Sequence, residues 1–319
     1  MEYIDVFNGD ADGICALVQL RQHEARGGGN LVTGVKRDIA LVRRVRAAAG
    51  ALVTVLDLSF DKNRDAVLDL LGAGVRVRYF DHHRASEDVA HPLFEAQLDA
   101  AADICTSLIV DRYLGGARRA WAVVGAFGDN MDSSARAAAS TLELSAGDMS
   151  LLRELGQYIN YNAYGRSVAD LYFAPDVLFE RLVVHEDPRS FIHDDVGFTV
   201  LADGYRADIT QAEACLPLEV RPKSAVYMLP DEAWAARVSG VFANLLASAA
   251  PQRAHALLTS NADGSYLVSV RAPLERPEGA DALCAAFPTG GGRKGAAGIN
   301  QLAREDFDRF LAAFRTAYA

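Results

Sequence analysis

Apolar residues in this chain come in short runs, and the spacing within each run separates strands from helices. Residues 3–8 form an apolar run that predicts a strand, and a helix beginning near Asp12 carries Ile14, Leu17, Val18 and Leu20 toward a core. Gly27, Gly28 and Gly29 are expected to end that helix. Residues 30–35, 52–58 and 75–80 predict further strands, with a helix over 38–49 between the first two. From about Asp103 the pattern turns helical, over 104–114, 117–127, 135–145 and 151–161. The stretch 177–187 carries no clear period, and Pro188, Asp194 and Asp195 predict a break or linker near 185–200. Strand-like pieces at 197–202, 225–229, 255–260 and 266–271 follow, with a helix over 232–249 and a hairpin turn at Asn261–Gly264. A glycine-rich unit, Gly290–Gly298, and a closing helix over 304–318 complete the chain. Alternation of strand and helix in the first half predicts an α/β fold with a mostly parallel sheet and helices on both faces. The expected division is 1–185, a linker at 186–200, and a smaller α/β domain at 201–319.

The 319 residues suffice for two domains with cores of their own. A net charge of −10 disfavours long duplex nucleic acid, which meets a basic footprint, and leaves room for a short polyanion in a locally positive crevice. Charges interrupt every apolar run before membrane-spanning length, and Glu2 and Asp5 stand where a basic leader would begin. No membrane association is expected, and the expected compartment is the cytoplasm. Cys15, Cys105, Cys215 and Cys284 lack metal-ligand spacing and read as core thiols.

Candidate chemistry collects where apolar elements end. Asp10 and Asp12 follow the first strand, Asp57 the third, Asp81-His82-His83 the fourth, and Asp129 the helix that stops at Gly128. In an open α/β sheet these positions face the ligand crevice. Acids gathered there repel one another unless cations lie between them. Carboxylate oxygens with imidazole nitrogens suit a divalent ion such as manganese, and two ions about 3.5–4 Å apart would relieve the repulsion and activate water for attack on phosphorus. Any single Asp among them also reads as a helix cap. Gly290-Gly291-Gly292-Arg293-Lys294 is a candidate anion seat, because glycines admit a phosphate close to backbone N–H groups and the basic pair adds charge; a surface loop is the competing reading. Asp103, Asp132 and Arg136 are weaker candidates for outer contacts, and the Tyr158, Tyr161, Tyr164, Tyr172 series reads as helix packing.

Taken together, these clusters resemble the DHH phosphoesterase superfamily, and the glycine-rich unit resembles its DHHA1 substrate-binding domain. Asn8-Gly9-Asp10-Ala11-Asp12-Gly13 is similar to a first motif that is usually His-x-Asp-x-Asp; Asp57 falls at the second, Asp81-His82-His83 is the name-giving third, and Asp129 matches the fourth. Gly290–Gly298 resembles Gly-Gly-Gly-His-x-x-Ala-Ala-Gly. The resemblance implies a parallel-sheet DHH domain facing a smaller DHHA1-like domain across a cleft. It implies two manganese ions, with magnesium or cobalt as substitutes. Asp57 would bridge them, Asn8 and Asp10 would complete one site, and Asp12, His82 and Asp129 the other. Asp81 would orient, His83 would contact the scissile phosphate, and Arg271, Gly291, Gly292, Arg293 and Lys294 would hold the substrate's far end. Two departures stand out: Asn8 replaces a histidine with a weaker neutral donor, and Arg293 replaces a titratable histidine with a permanent charge.

The leading expectation is a manganese-dependent phosphodiesterase acting on short oligonucleotides or small phosphorylated nucleotides, with homodimer formation left open. A single-strand exonuclease on longer DNA or RNA, and a non-catalytic nucleotide-binding regulator with a weakened metal site, are the alternatives.

Overall fold

The computed structural model describes residues 1–24 and 29–319; Gly27 and Gly28, expected to end the first helix, lie outside them. The chain divides into two units, Met1–Asp203 and Gly204–Ala319. In the first unit β1 (Tyr3–Phe7), α1 (Ala11–His23), β2 (Asn30–Val32), β3 (Leu52–Leu56), α2 (Phe60–Gly72), β4 (Arg76–Asp81) and β5 (Phe94–Leu98) precede a helical run. That run comprises α3 (Thr106–Tyr113), α4 (Arg119–Gly128), α5 (Asp132–Ala139), α6 (Ala146–Asn162), α7 (Pro175–Val183) and α8 (Pro188–Asp194). α9 (Val196–Glu213) runs through the division.

The first sheet is parallel throughout, in the order β2-β1-β3-β4-β5. One face buries Ile4, Val6, Val53, Val55, Val77 and Tyr79 with Phe60, Val67 and Leu71 of α2. The other carries Asp5 and Arg78, whose charges are matched by Arg21 of α1 at 2.6 Å and by Glu24 at 2.7 Å. The strand order reverses between β1 and β3, and at such a switch point the carboxyl ends of the two strands open a crevice. Asn8 and Asp10 follow β1, and Asp57 follows β3, so the fold itself gathers the acidic segments.

Two expectations are corrected here, and one strand is added. Residues 38–49 do not form an α-helix: a single 3-10 turn covers Leu41–Arg44, because Asn63 takes over its backbone groups, accepting from Val42 N at 3.2 Å and donating to Ile39 O at 2.8 Å. Residues 197–202 are helical, the β-branched start of α9 being carried by a buried stripe, Leu201, Asp208 and Ala212, at helical spacing. β5 was not expected, although Phe94-Glu95-Ala96-Gln97-Leu98 alternates apolar and polar residues as a half-buried strand at a sheet edge does.

The second unit contains β6 (Glu219–Val220), β7 (Ser224–Leu229), α10 (Ala233–Ala249), β8 (Ala254–Ser260), β9 (Tyr266–Arg271), α11 (Ala280–Ala285), β10 (Gly290–Arg293), β11 (Ala296–Leu302) and α12 (Phe307–Ala317). Its mixed sheet runs β10-β11-β9-β8-β7-β6. Val268, Val270, Ala297 and Ile299 pack with Cys284, Phe310 and Phe314 of α11 and α12. The expected hairpin turn is present, with Gly264 at φ 81° and Asn261 N donating to Ser265 O. Among the described residues no helix is long and apolar enough to cross a membrane.

Candidate metal centre

Each acidic side chain is seated by the element beside it. Asp10 caps α1, its Oδ1 accepting from Asp12 N at 3.0 Å and Gly13 N at 3.1 Å. Capping was one reading of Asp12, but Asp10 does it, and the buried Asp12 reaches across to α3 instead. Its two carboxylate oxygens accept from Thr106 N and Ser107 N at 2.7 Å each, which ties the start of α3 to the start of α1. Asp57 adopts φ 55°, a left-handed conformation that Asp tolerates better than most residues. Its Oδ1 accepts from Thr106 Oγ1 at 3.2 Å and lies 3.5 Å from His82 Nε2. Asp81, fully buried, holds His83 Nδ1 at 2.6 Å through one oxygen and accepts Phe60 N at 3.2 Å through the other.

Asp129 is brought in by helix crossing. A methyl group on Gly128 would collide with Ala11 of α1 and lie 2.8 Å from Gly156 O of α6, so the absence of one lets α4 approach both helices. Asp129 follows directly, at the end of α4.

Among the described residues, two groups present ligand atoms within 4.8 Å of one another: Asp12, His82 and Asp129, and Asp57, His82 and His83. They share His82. Oxygen and imidazole donors in these groups fit a divalent metal. The electrostatics point the same way. Burial pushes the Asp57 carboxyl well above the ordinary range, and Asp10, Asp12, Asp129 and Asp81 push it further. Burial and the charge of Asp12 lift Asp129 to about 6, against the opposing pull of Lys36. Carboxylates crowded so that protons are held too tightly are carboxylates that a cation would relieve.

Asn8 and Asp10 are arranged differently. Asn8 Oδ1 accepts from Asp10 N at 3.2 Å, and its Nδ2 donates to Lys36 O at 3.3 Å. The second oxygen of Asp10 is taken by Lys36 Nζ at 2.5 Å. Burial alone would raise Asp10, but the ammonium beside it holds the carboxyl below its usual range. Lys36, Thr106, Ser107 and Asn160 were not anticipated as parts of the centre. The available signal for Lys36 was its place shortly after β2, beyond an apolar element.

In the second unit, Gly290–Arg293 is a strand, with Lys294 and Gly295 at the tip of its hairpin. Arg293 pairs with Ala296, and Ala296 pairs with Arg271, so the two arginines flank one residue on the same face of the sheet. Arg271 also donates to Asn244 Oδ1 of α10 at 2.7 Å. Gly291, Gly292, Arg293 and Lys294 are exposed, and β10 forms the sheet edge, with β11 as its neighbour.

Comparison with solved structures finds the same fold at low identity. A structure described as the DHH domain of a member of the S1p family of ribosomal proteins superposes with a TM-score of 0.68 at 12% identity, covering 99% of this chain and 86% of that one. The exonuclease RecJ bound to manganese gives 0.61 at 19%, covering 99% and 90%. A pGpG-specific phosphodiesterase, PggH from Vibrio cholerae, gives 0.55 at 15%, covering 99% and 98%. No model of a known protein family and no curated protein matches the sequence. The two-domain α/β architecture, a parallel sheet flanked by helices followed by a separate α/β unit, is that of the DHH and DHHA1 fold.

Proposed function

We propose that this protein is a metal-dependent phosphodiesterase that hydrolyses short oligonucleotides or small nucleotides, linear dinucleotides among them. The observation that carries the proposal is that Asp12 and Asp129 share His82 with Asp57, two possible ligand groups that meet at that imidazole, beside the Asp81–His83 pair. In this reading those four residues hold manganese, which supplies charge stabilisation for the phosphoryl group and eases the ionisation of water. His83, half-exposed and held by Asp81, donates a hydrogen bond to a non-bridging phosphate oxygen. Thr106, bonded to Asp57, fixes the carboxylate's direction. Arg293 and Lys294 of the hairpin, with Arg271 in register, bind a terminal phosphate of the substrate, Arg293 offering a planar donor fork. RecJ and PggH, whose fold this chain shares, are by their descriptions an exonuclease and a pGpG-specific phosphodiesterase.

The test is a panel assayed with manganese: 5′-labelled dinucleotides, a bisphosphorylated nucleoside, a cyclic dinucleotide, polyphosphate and long single-stranded DNA. Turnover is expected for the short substrates, with KM raised roughly 10-fold or more in Arg293→Ala, the loss of a charged hydrogen bond worth about 1.5–3 kcal/mol. Failure to turn over any nucleotide would refute the proposal.

A further inference from the structure

We propose that the Lys36 ammonium stands in for a metal ion in the Asn8–Asp10 half of the centre, so that the chain holds a single divalent cation among Asp12, Asp57, His82 and Asp129. This rests on the metal reading above and alters its stoichiometry.

The Asn8–Asp10 half differs from the Asp12 carboxylate, which accepts only from backbone amides, in already holding a cation. Asp10 spends Oδ1 on two backbone amides of α1 and Oδ2 on Lys36 Nζ at 2.5 Å. Asn8 is fixed at both ends of its amide: Nδ2 donates to Lys36 O, which directs Oδ1 to Asp10 N. The lysine itself has a built seat. Its backbone N donates to Ala163 O at 2.9 Å, its Nζ donates to Asn160 Oδ1 at 3.0 Å, and the Tyr164 ring lies 5.4 Å from the charge. Asn160 is buried near the end of α6, and Lys36 Nζ also lies 3.9 Å from Asp129. The ammonium thus bridges two carboxylates of the centre from a position held by Asn160 at the end of α6 and by Ala163 and Tyr164 just beyond it.

Two sequence features then become one. An imidazole at position 8 would be a good metal ligand, whereas an amide is a poor one and an adjacent ammonium would repel a divalent ion. Asparagine with lysine is a consistent pair for a site whose cation is built into the chain. Such a charge is always present at neutral pH and needs no loading, and it lies where negative charge on a phosphate would gather.

Equilibrium dialysis against manganese, with electron paramagnetic resonance of the bound ion, decides the matter on the unaltered protein. One ion per chain with the spectrum of an isolated centre is expected. The double variant Asn8→His with Lys36→Ala is expected to bind two ions showing exchange coupling. Two coupled ions in the unaltered protein would overturn this inference and leave the phosphodiesterase reading standing. No bound ion would overturn both. A natively folded double variant that still binds one ion would show that the ammonium does not exclude the second, and the inference would fall.

Discussion

His83 Nδ1 lies 2.6 Å from Asp81 Oδ1, while the other oxygen of that carboxylate is anchored by the first turn of α2 through Phe60 N. The hydrogen bond that His83 donates to Asp81 raises its pKa above its ordinary value, against the effect of burial, with the Asp81, Asp10 and Asp12 charges adding to it. A raised pKa keeps the imidazolium present to higher pH. If the charged form grips the phosphate, kcat/KM falls on the alkaline side as His83 loses its proton. Asp81→Asn removes the charge that holds the proton, so the alkaline limb moves toward lower pH, with a loss in kcat of roughly 100-fold. A pH profile of the variant with its limb unmoved would separate His83 from the reaction.

Asp57 provides a second test, read by stability instead of by turnover. Its folded pKa is raised, so its ionisation destabilises the metal-free protein: the stability is full below the ordinary Asp range near 3.8 and is lost as pH rises toward the folded value. Asp57→Asn, which also suits the left-handed backbone, is therefore expected to stabilise the metal-free protein at pH 7.5. Manganese at 100 times its Kd should stabilise the unaltered protein by about 2.7 kcal/mol, a rise of roughly 5–10 °C for a unit of this size. The variant should gain less than about half of that rise. Calorimetry with and without manganese checks both signs, and equal gains would remove Asp57 from the metal site.

Why some of this was legible in the sequence and some was not comes down to separation along the chain. Asp10, Asp57, Asp81 and Asp129 each end an apolar element, so hydrophobic period alone located them, and parallel strand order brought their ends together. Lys36, Thr106 and Asn160 enter through contacts that only the folded chain makes: Lys36 meets Asp10 across 26 positions and Asn160 across 124, and Thr106 meets Asp12 across 94. No local pattern marks such partners. Secondary structure failed for a related reason at residues 38–49, where a side chain from α2, Asn63, overrode helix propensity.

Gly128 links packing to the site. Gly128→Ala would press a methyl group into Ala11 and toward Gly156 O, where backbone cannot easily yield. Overpacking of this kind costs about 1–3 kcal/mol. Because Asp129 is the next residue, manganese affinity should fall together with Tm. Gly147→Ala is the control: it too is a helical glycine, in the first turn of α6, but its nearest neighbour would be Ser145 Oγ at 3.6 Å, so neither quantity should drop. Loss of Tm in Gly128→Ala with unchanged manganese affinity would show that the crossing does not position Asp129.

His255 sits in β8 with 2% of its surface exposed, opposite Arg271 in the register, and among the described residues its Nδ1 has no hydrogen-bond partner. Burial, with Arg253 adding to it, lowers its pKa from 6.5 to about 4. Above pH 6.5 both folded and unfolded chains carry it neutral, and it makes stability independent of pH. As pH falls from 6.5 toward 4 the unfolded chain takes up a proton that the folded one refuses, so stability declines through that window and levels off below it. Allowing for solvent screening, the loss attributable to this residue should be on the order of 2 kcal/mol. His255→Leu replaces the ring with an apolar side chain and removes the titration. Native-state hydrogen exchange of the β8 amides, compared between pH 7 and about pH 4.5 after correction for intrinsic exchange, should show a smaller loss of protection in the variant than in the unaltered protein. Equal losses would assign the acid sensitivity of the second unit to other groups.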